Sequence, residues 1–163
     1  MRDYIIMTDS CCDLSQQEVE ELELTVLPLS FTIEGKTLLN TPDHADMSPE
    51  EFFAKIAAGA DCTTAAVNVG QFTDAMEKVL QEGKDILCVC FSSALSTTYQ
   101  SACIAAEDLR EKYPEAKILV IDSLSASRGQ GMLLYRAVRE RREKNLTIDE
   151  LDAYVRSIIQ SQC

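Results

Sequence analysis

The run Asp85-Ile86-Leu87-Cys88-Val89-Cys90-Phe91 constrains this chain more than any other stretch. It is apolar without alternation, so a strand built from it must be covered on both faces. Small polar residues follow, Ser92 to Thr98. Then comes a stripe at helical spacing, Leu95, Tyr99, Ala102, Ala106, Leu109 and Tyr113, stopped by Pro114. Lys117 to Ile121 is a second buried run and Tyr4 to Met7 a third. Buried strands separated by helices require crossover connections, which place the strands parallel. The chain therefore reads as an α/β fold, a mainly parallel β-sheet flanked by helices.

The remaining elements follow from local signals. Ser15 and Glu18 form a capping box, so a helix starts near Ser15. Leu24 to Phe31 is apolar but carries Pro28, which predicts a bend or an edge strand. Glu34-Gly35-Lys36 is a turn before Thr37-Leu38-Leu39. Ser48-Pro49-Glu50-Glu51 opens a helix whose apolar face is Phe52, Phe53, Ile56 and Ala57, ended by Gly59. Phe72, Ala75, Met76, Val79 and Leu80 stripe another, closed by Gly83. A long helix runs through Arg142, and Thr147 with Glu150 caps a last one, with Ile148, Leu151, Val155 and Ile158 inward.

A chain of 163 residues fits one domain, taken here as residues 1–163. The net charge of -12 repels nucleic acid, so no nucleic-acid partner is expected. The late basic residues, Arg128, Arg136, Arg139, Arg141, Arg142 and Lys144, are interrupted by Glu140 and Glu143 and read as a solvated helix face. No run resembles a signal peptide or reaches membrane-spanning length, so no membrane insertion and a cytoplasmic location are expected. The seven cysteines are Cys11, Cys12, Cys62, Cys88, Cys90, Cys103 and Cys163. Their odd number in a reducing compartment predicts thiols rather than a disulfide framework. With one histidine (His44) and no Cys-x-x-Cys pair, no metal site or cofactor is expected.

Ligands in open α/β sheets bind beyond the carboxyl ends of the strands. Three such ends carry hydroxyls: Thr8 to Asp13 with Ser10, Ser92 to Gln100 with Ser92, Ser93, Ser96 and Thr98, and Asp122 to Ser127 with Ser123. A fourth pair, Thr63-Thr64, precedes the Phe72 helix. Helix starts offer unpaired N–H groups, and neighbouring hydroxyls can donate to a carboxylate or phosphate. One such loop alone is ordinarily only a cap. Several gathered at one sheet edge favour a site.

Catalytic motifs fit poorly. There is no Gly-x-Ser-x-Gly elbow and no Walker sequence. Arg128-Gly129-Gln130-Gly131 begins like a dinucleotide fingerprint, but Leu134 stands where the third glycine belongs. Asp9 as a phosphoryl acceptor lacks a second Asp two positions on, where Cys11 stands. Cys11 and Cys12 have no Arg nearby in sequence to hold a phosphate, and His44 lies in a polar loop that reads as surface. No enzymatic activity is expected.

The same segments resemble the DegV family. Thr8-Asp9-Ser10-Cys11-Cys12-Asp13-Leu14 is similar to its opening Thr-Asp-Ser-x-x-Asp-Leu. Leu27-Pro28-Leu29 and Asp46 to Phe53 follow the family order. Thr63 to Asn68 falls where many members have Thr-Ser-Gln-Pro-Ser, and Ser92 to Ala102 looks like Ser-Ser-Gly-Leu-Ser-Gly-Thr-Tyr-Gln-Ser-Ala. Asp122-Ser123 with Gly129-Gln130-Gly131 resembles a later signature. The resemblance implies a Rossmann-like N-terminal domain that binds one long-chain fatty acid and presents its carboxylate to a separate fatty acid kinase. It places the carboxylate contacts on Thr64 and Ser93, with Ser92 and Ser96 as neighbours. Ala65 and Ala66 depart from the family's Ser-Gln pair, and Ala94 and Thr97 replace its glycines. It also implies a C-terminal domain that this chain lacks, with the crossing near Cys163. Dimerisation through the surface thereby exposed is one consequence. The alternatives are a fragment that folds without a ligand, and a small hydrolase or phosphatase using Ser93 or Asp9.

Overall fold

The computed structural model describes residues 2–159. Strand β1 (Tyr4–Asp9) leads through a one-turn 3-10 segment (Ser10–Cys12) to α1 (Gln16–Glu21) and β2 (Leu24–Leu27). An excursion follows: β3 (Ser30–Ile33), β4 (Lys36–Leu39), α2 (Pro49–Ala57) and β5 (Cys62–Ala65). Then α3 (Val69–Gln81), β6 (Asp85–Cys90), α4 (Thr98–Lys112), β7 (Ile118–Asp122), α5 (Ser127–Lys144) and α6 (Ile148–Ile159) complete the body. The main sheet runs β2-β1-β6-β7 and every pair in it is parallel. A second sheet, β4-β3-β5, is antiparallel.

Strand β6 is buried at every position, as its composition demands. Leu87 and Val89 face one core with α1, α5 and α6. Ile86, Cys88 and Cys90 face the other with α3 and α4, where the filling includes Phe72, Met76, Ala102 and Leu109. Helices on both faces thus explain the missing polar alternation. The six described cysteines are free, with the Cys88 and Cys90 sulfurs 3.5 Å apart in the dry interior. Cys163 lies outside the described residues.

Two expectations need correction. The apolar run from Leu24 to Phe31 does supply an edge strand, β2, but not a single strand: it divides at Pro28 between two sheets. Pro28 has no N–H to donate, and the Leu29 N–H goes to Ser10 Oγ (3.1 Å) instead of a ladder. Leu95 is not part of the α4 stripe, because the helix begins at Thr98 and Leu95 is 66% exposed. The expected cap at Ser48 is present, its hydroxyl accepting from Glu51 N–H. Yet α2 buries none of its residues, and Phe53 is 67% exposed. The turn between β3 and β4 has positive φ at both Glu34 and Gly35, the geometry that matches the twist of a two-residue hairpin.

Helix α5 approaches the turn after β1 closely. A Cβ on Gly131 would lie 2.7 Å from the carbonyl oxygen of Cys12 and 3.0 Å from Leu14 Cδ2. Backbone cannot yield as a flexible side-chain tip can. Gly131→Ala should therefore destabilise the chain by about 1–3 kcal/mol despite alanine's better helix propensity. Urea unfolding followed by circular dichroism measures it.

Candidate ligand-binding site

The chain leaves β1 toward β2 on one side and returns through β6 on the other, so the order of the parallel sheet reverses between β1 and β6. A crevice opens beyond the strand ends at such a point. Asp9 ends β1 there, fully buried. One carboxylate oxygen accepts from Cys11 N–H (3.0 Å). The other accepts from Phe91 N–H just past β6 (2.7 Å) and from the Gln130 amide of α5 (3.3 Å). Gln130 also donates to Thr8 Oγ1 (3.0 Å), whose own proton goes to the Val89 carbonyl (2.7 Å). Burial pushes the Asp9 carboxyl above its ordinary value; the Phe91 and Cys11 N–H groups oppose this without cancelling it.

The loops beyond β6 and β7 are laced together. Ser92 N–H donates to the Ser125 carbonyl (3.1 Å), Ser123 N–H to the Cys90 carbonyl (3.1 Å), and Ser93 N–H to the Asp122 carboxylate (3.1 Å). Most expected ligand hydroxyls are consumed locally. Ser92 Oγ accepts from Ala94 N–H (3.3 Å), while Ser123 Oγ donates to the Ser125 carbonyl and accepts from its N–H. Ser96 and Thr98 hydroxyls bond each other (2.9 Å), and Ser96 Oγ accepts from Thr98 N–H. Ser10 Oγ accepts from Leu29 N–H and Asn40 Nδ2. Ser93 and Thr64 differ: both are exposed, and neither side chain hydrogen bonds to another described residue.

Thr64 is not at the edge of the main sheet. It lies in β5 opposite Phe31 of β3. There it borders a groove of about 400 Å³ walled by Leu29, Phe31, Leu39, Met47, Phe52 and Phe53. Phe31 and Phe52 meet edge to face at 5.4 Å, as do Phe52 and Phe53. A polar cleft of about 300 Å³ adjoins it, lined by Ser10, Cys12, Asn40 and Arg128 among others. Asp13, Asn40 and His44 line both. Of the expected hydroxyls, Ser10 lines the cleft and Thr64 the groove. Ser92, Ser93, Ser96, Thr98 and Ser123 line neither. His44 is exposed, as expected of it, but belongs to both walls. Asn40 and the Phe31–Phe52 pair were not among the expected site residues, because nothing in their local sequence announces a wall assembled from three distant segments.

Charge is managed locally. Arg128 binds Glu18 across the cleft rim (2.7 Å), and with the Ser15 cap it holds the Glu18 carboxyl down to about 2. Burial pushes the Cys11 thiol far up and Cys12 to about 11, so neither is a thiolate near neutrality. Among the described residues no group of three or more His, Cys, Asp or Glu side chains is arranged to hold a metal ion. No described helix is long and apolar enough to cross a membrane. Removing the Ser123 hydroxyl strands the half-buried Ser125 N–H. Ser123→Ala should cost about 1–3 kcal/mol in urea unfolding, and an exposed Ser93→Ala almost nothing.

A family model described as "Uncharacterised protein, DegV family" matches residues 4–163. A DegV domain-containing protein of Clostridium perfringens is 37% identical over 155 residues, which are 95% of this chain and 53% of that protein. One from Lactococcus lactis is 39% identical over 138 residues, 85% of this chain and 47% of that protein. The chain thus spans about half the length of the curated relatives it matches. Among solved structures, a fatty-acid-binding DegV family protein from Thermus thermophilus superposes with a TM-score of 0.83 at 28% identity, over 98% of this chain and 54% of its own. A stearic-acid-binding protein from Eubacterium ventriosum gives 0.83 at 26%, over 93% and 52%. The parallel sheet, its strand-end loops and the antiparallel excursion lie within the matched span, and the chain belongs to the DegV family.

Proposed function

We propose that the chain binds one long-chain fatty acid, with the carboxylate held by Ser93, Thr64 and neighbouring donors, and offers that carboxylate to a separate fatty acid kinase. One observation carries the assignment of the head group: of the seven hydroxyls expected to bind it, the two exposed and unspent ones are Ser93 and Thr64. Ser92, Ser96, Thr98, Ser10 and Ser123 then serve as the scaffold that orders the surrounding backbone donors. Neutral donors satisfy a monoanion while leaving it available for transfer.

The apolar wall beside Thr64 supplies surface for the tail. Each methylene removed from water contributes about 0.8 kcal/mol, so the tail dominates affinity and the hydroxyls dominate orientation. The fatty-acid-binding proteins from Thermus thermophilus and Eubacterium ventriosum share the fold at 28% and 26% identity. A hydrolase reading through Asp9 has less support, since that carboxylate is fully buried and both its oxygens accept N–H bonds. No His, Asp or Glu among the described residues hydrogen bonds the Ser93 hydroxyl, so it has no general base in place. Exposed Leu95 and Leu124 flank the serine loops and offer a surface for a further domain or a second copy.

Delipidated chain should take up one equivalent of stearate by native mass spectrometry. Ser93→Ala and Thr64→Val should each weaken it about tenfold, the effect of one charge-assisted hydrogen bond. Stearyl alcohol, which lacks the carboxylate, should bind wild type and both variants alike. The assignment is lost if neither this chain nor one extended to the length of its relatives takes up stearate.

A further inference from the structure

Asp9 is a buried ionisable group to which the carboxylate-gripping role assigns nothing. We propose that the Asp9 carboxylate, steered by Gln130, is the positioning residue of the serine loop, holding Ser92 to Ser96 in register with the end of β1 across the crevice. What the loop then holds rests on the fatty-acid assignment; the positioning does not.

Three observations converge. First, the bond from Phe91 N–H to Asp9 (2.7 Å) falls on the residue immediately before Ser92, so the loop's first anchor is this carboxylate. Second, Asp9 collects three N–H donors from three elements: the turn after β1, the end of β6 and α5. Only a group with two acceptor oxygens suits all three. An asparagine would turn its own NH2 against either the Cys11 N–H or the Phe91 and Gln130 donors. Third, Gln130 is buried in one defined orientation. Thr8 gives its proton to Val89, so its lone pair must face Gln130 Nε2, and the second Nε2 hydrogen reaches Asp9. The price is Gln130 Oε1, buried with no hydrogen-bond partner among the described residues. An apolar side chain would avoid that orphan, so the donor end is what the position needs.

The groups facing Asp9 leave its titration uncluttered. Its own turn presents the Cys11 thiol, with Cys12 and Asp13 beyond, and β6 presents the Cys90 thiol. The Cys11, Cys12 and Cys90 thiols are pushed up and stay neutral. Helix α5 presents the uncharged Gln130 amide, and no Lys, Arg or His among the described residues pairs with Asp9. Burial raises the Asp9 carboxyl above its unfolded value, so the folded chain holds the proton more tightly. Its contribution to stability is therefore greatest at low pH. It is lost as pH rises from the ordinary aspartate range through the raised value. Loop order runs the opposite way, because only the ionised form accepts all three bonds well. A merely structural carboxylate would move both together.

The test is an amide NMR titration of the full chain in the acidic range, alongside binding of a long-chain alkyl sulfonate, which stays ionised throughout. The Phe91 and Cys11 amides should titrate with one shared midpoint above the ordinary aspartate range, and the Ser92 to Ser96 amides should follow it. Sulfonate affinity should fall about tenfold as Asp9 is protonated. Asp9→Asn should abolish the shared midpoint and flatten the affinity profile. Gln130→Met, which keeps the volume but removes the donor, should move the midpoint upward, and it decides the matter if Asp9→Asn does not fold. Loop amides that ignore the Asp9 midpoint in wild type would overturn the proposal. A wild type that takes up neither sulfonate nor stearate at any pH would instead remove the fatty-acid assignment, with the amide titration still deciding the positioning.

Discussion

A carboxylate held by three N–H groups at the reversal point of a parallel sheet ties together the end of β1, the loop after β6 and helix α5. Strands β1 and β6 are already joined by their ladder, with Met7 opposite Cys88. A ladder ends with its strands, however, and the loops beyond would diverge unless something crossed between them. Asp9 makes that crossing, and Gln130 adds α5. The Ser92–Ser125 and Ser123–Cys90 backbone bonds then carry the order outward to the loop after β7. Burying an unpaired carboxylate is costly, and three donors offset that cost only in part. The strain falls where open α/β sheets place their ligands.

Serine and threonine at these strand ends divide into two kinds of work. Hydroxyls bonded within the loops, as at Ser123 and Ser96, replace missing backbone partners and hold the loop. Exposed hydroxyls, as at Ser93 and Thr64, have no hydrogen-bond partner among the described residues. The first kind makes the second useful, because a donor orients a ligand only when its own backbone is held.

Much of the fold could be read from residue pattern. The unbroken apolar run of β6 demanded cover on both faces, and the structure supplies helices on each. The Ser15, Ser48 and Thr147 caps marked helix starts because capping is a local reaction between near neighbours. Reading failed where a neighbour in space, not in sequence, decides. The split at Pro28 depends on Ser10 receiving the Leu29 N–H. Leu95 keeps helical spacing with Tyr99, yet it lies in the loop before the helix, which begins only at Thr98. Thr64 could be picked out by family resemblance, but its aromatic surroundings could not, since Phe31, Met47 and Phe52 come from separate segments. The Thr8–Asp9–Gln130 chain was equally hidden, because its last member sits on a helix far along the chain from the other two.

The two sheets differ in how they are secured. The parallel sheet is clamped between two layers of helices, whereas β3, β4 and β5 carry α2, which buries no residue of its own. Cohesion there comes from two short ladders and from edge-to-face ring contacts. Amide protons in the excursion therefore exchange through small local openings, while those of β1 and β6 wait for the whole body to unfold. If the groove takes the fatty-acid tail as proposed, its wall is the pliable side and the strand ends are the fixed one. Tails of different bulk are then expected to displace Phe52 and Phe53 rather than the Asp9 anchor.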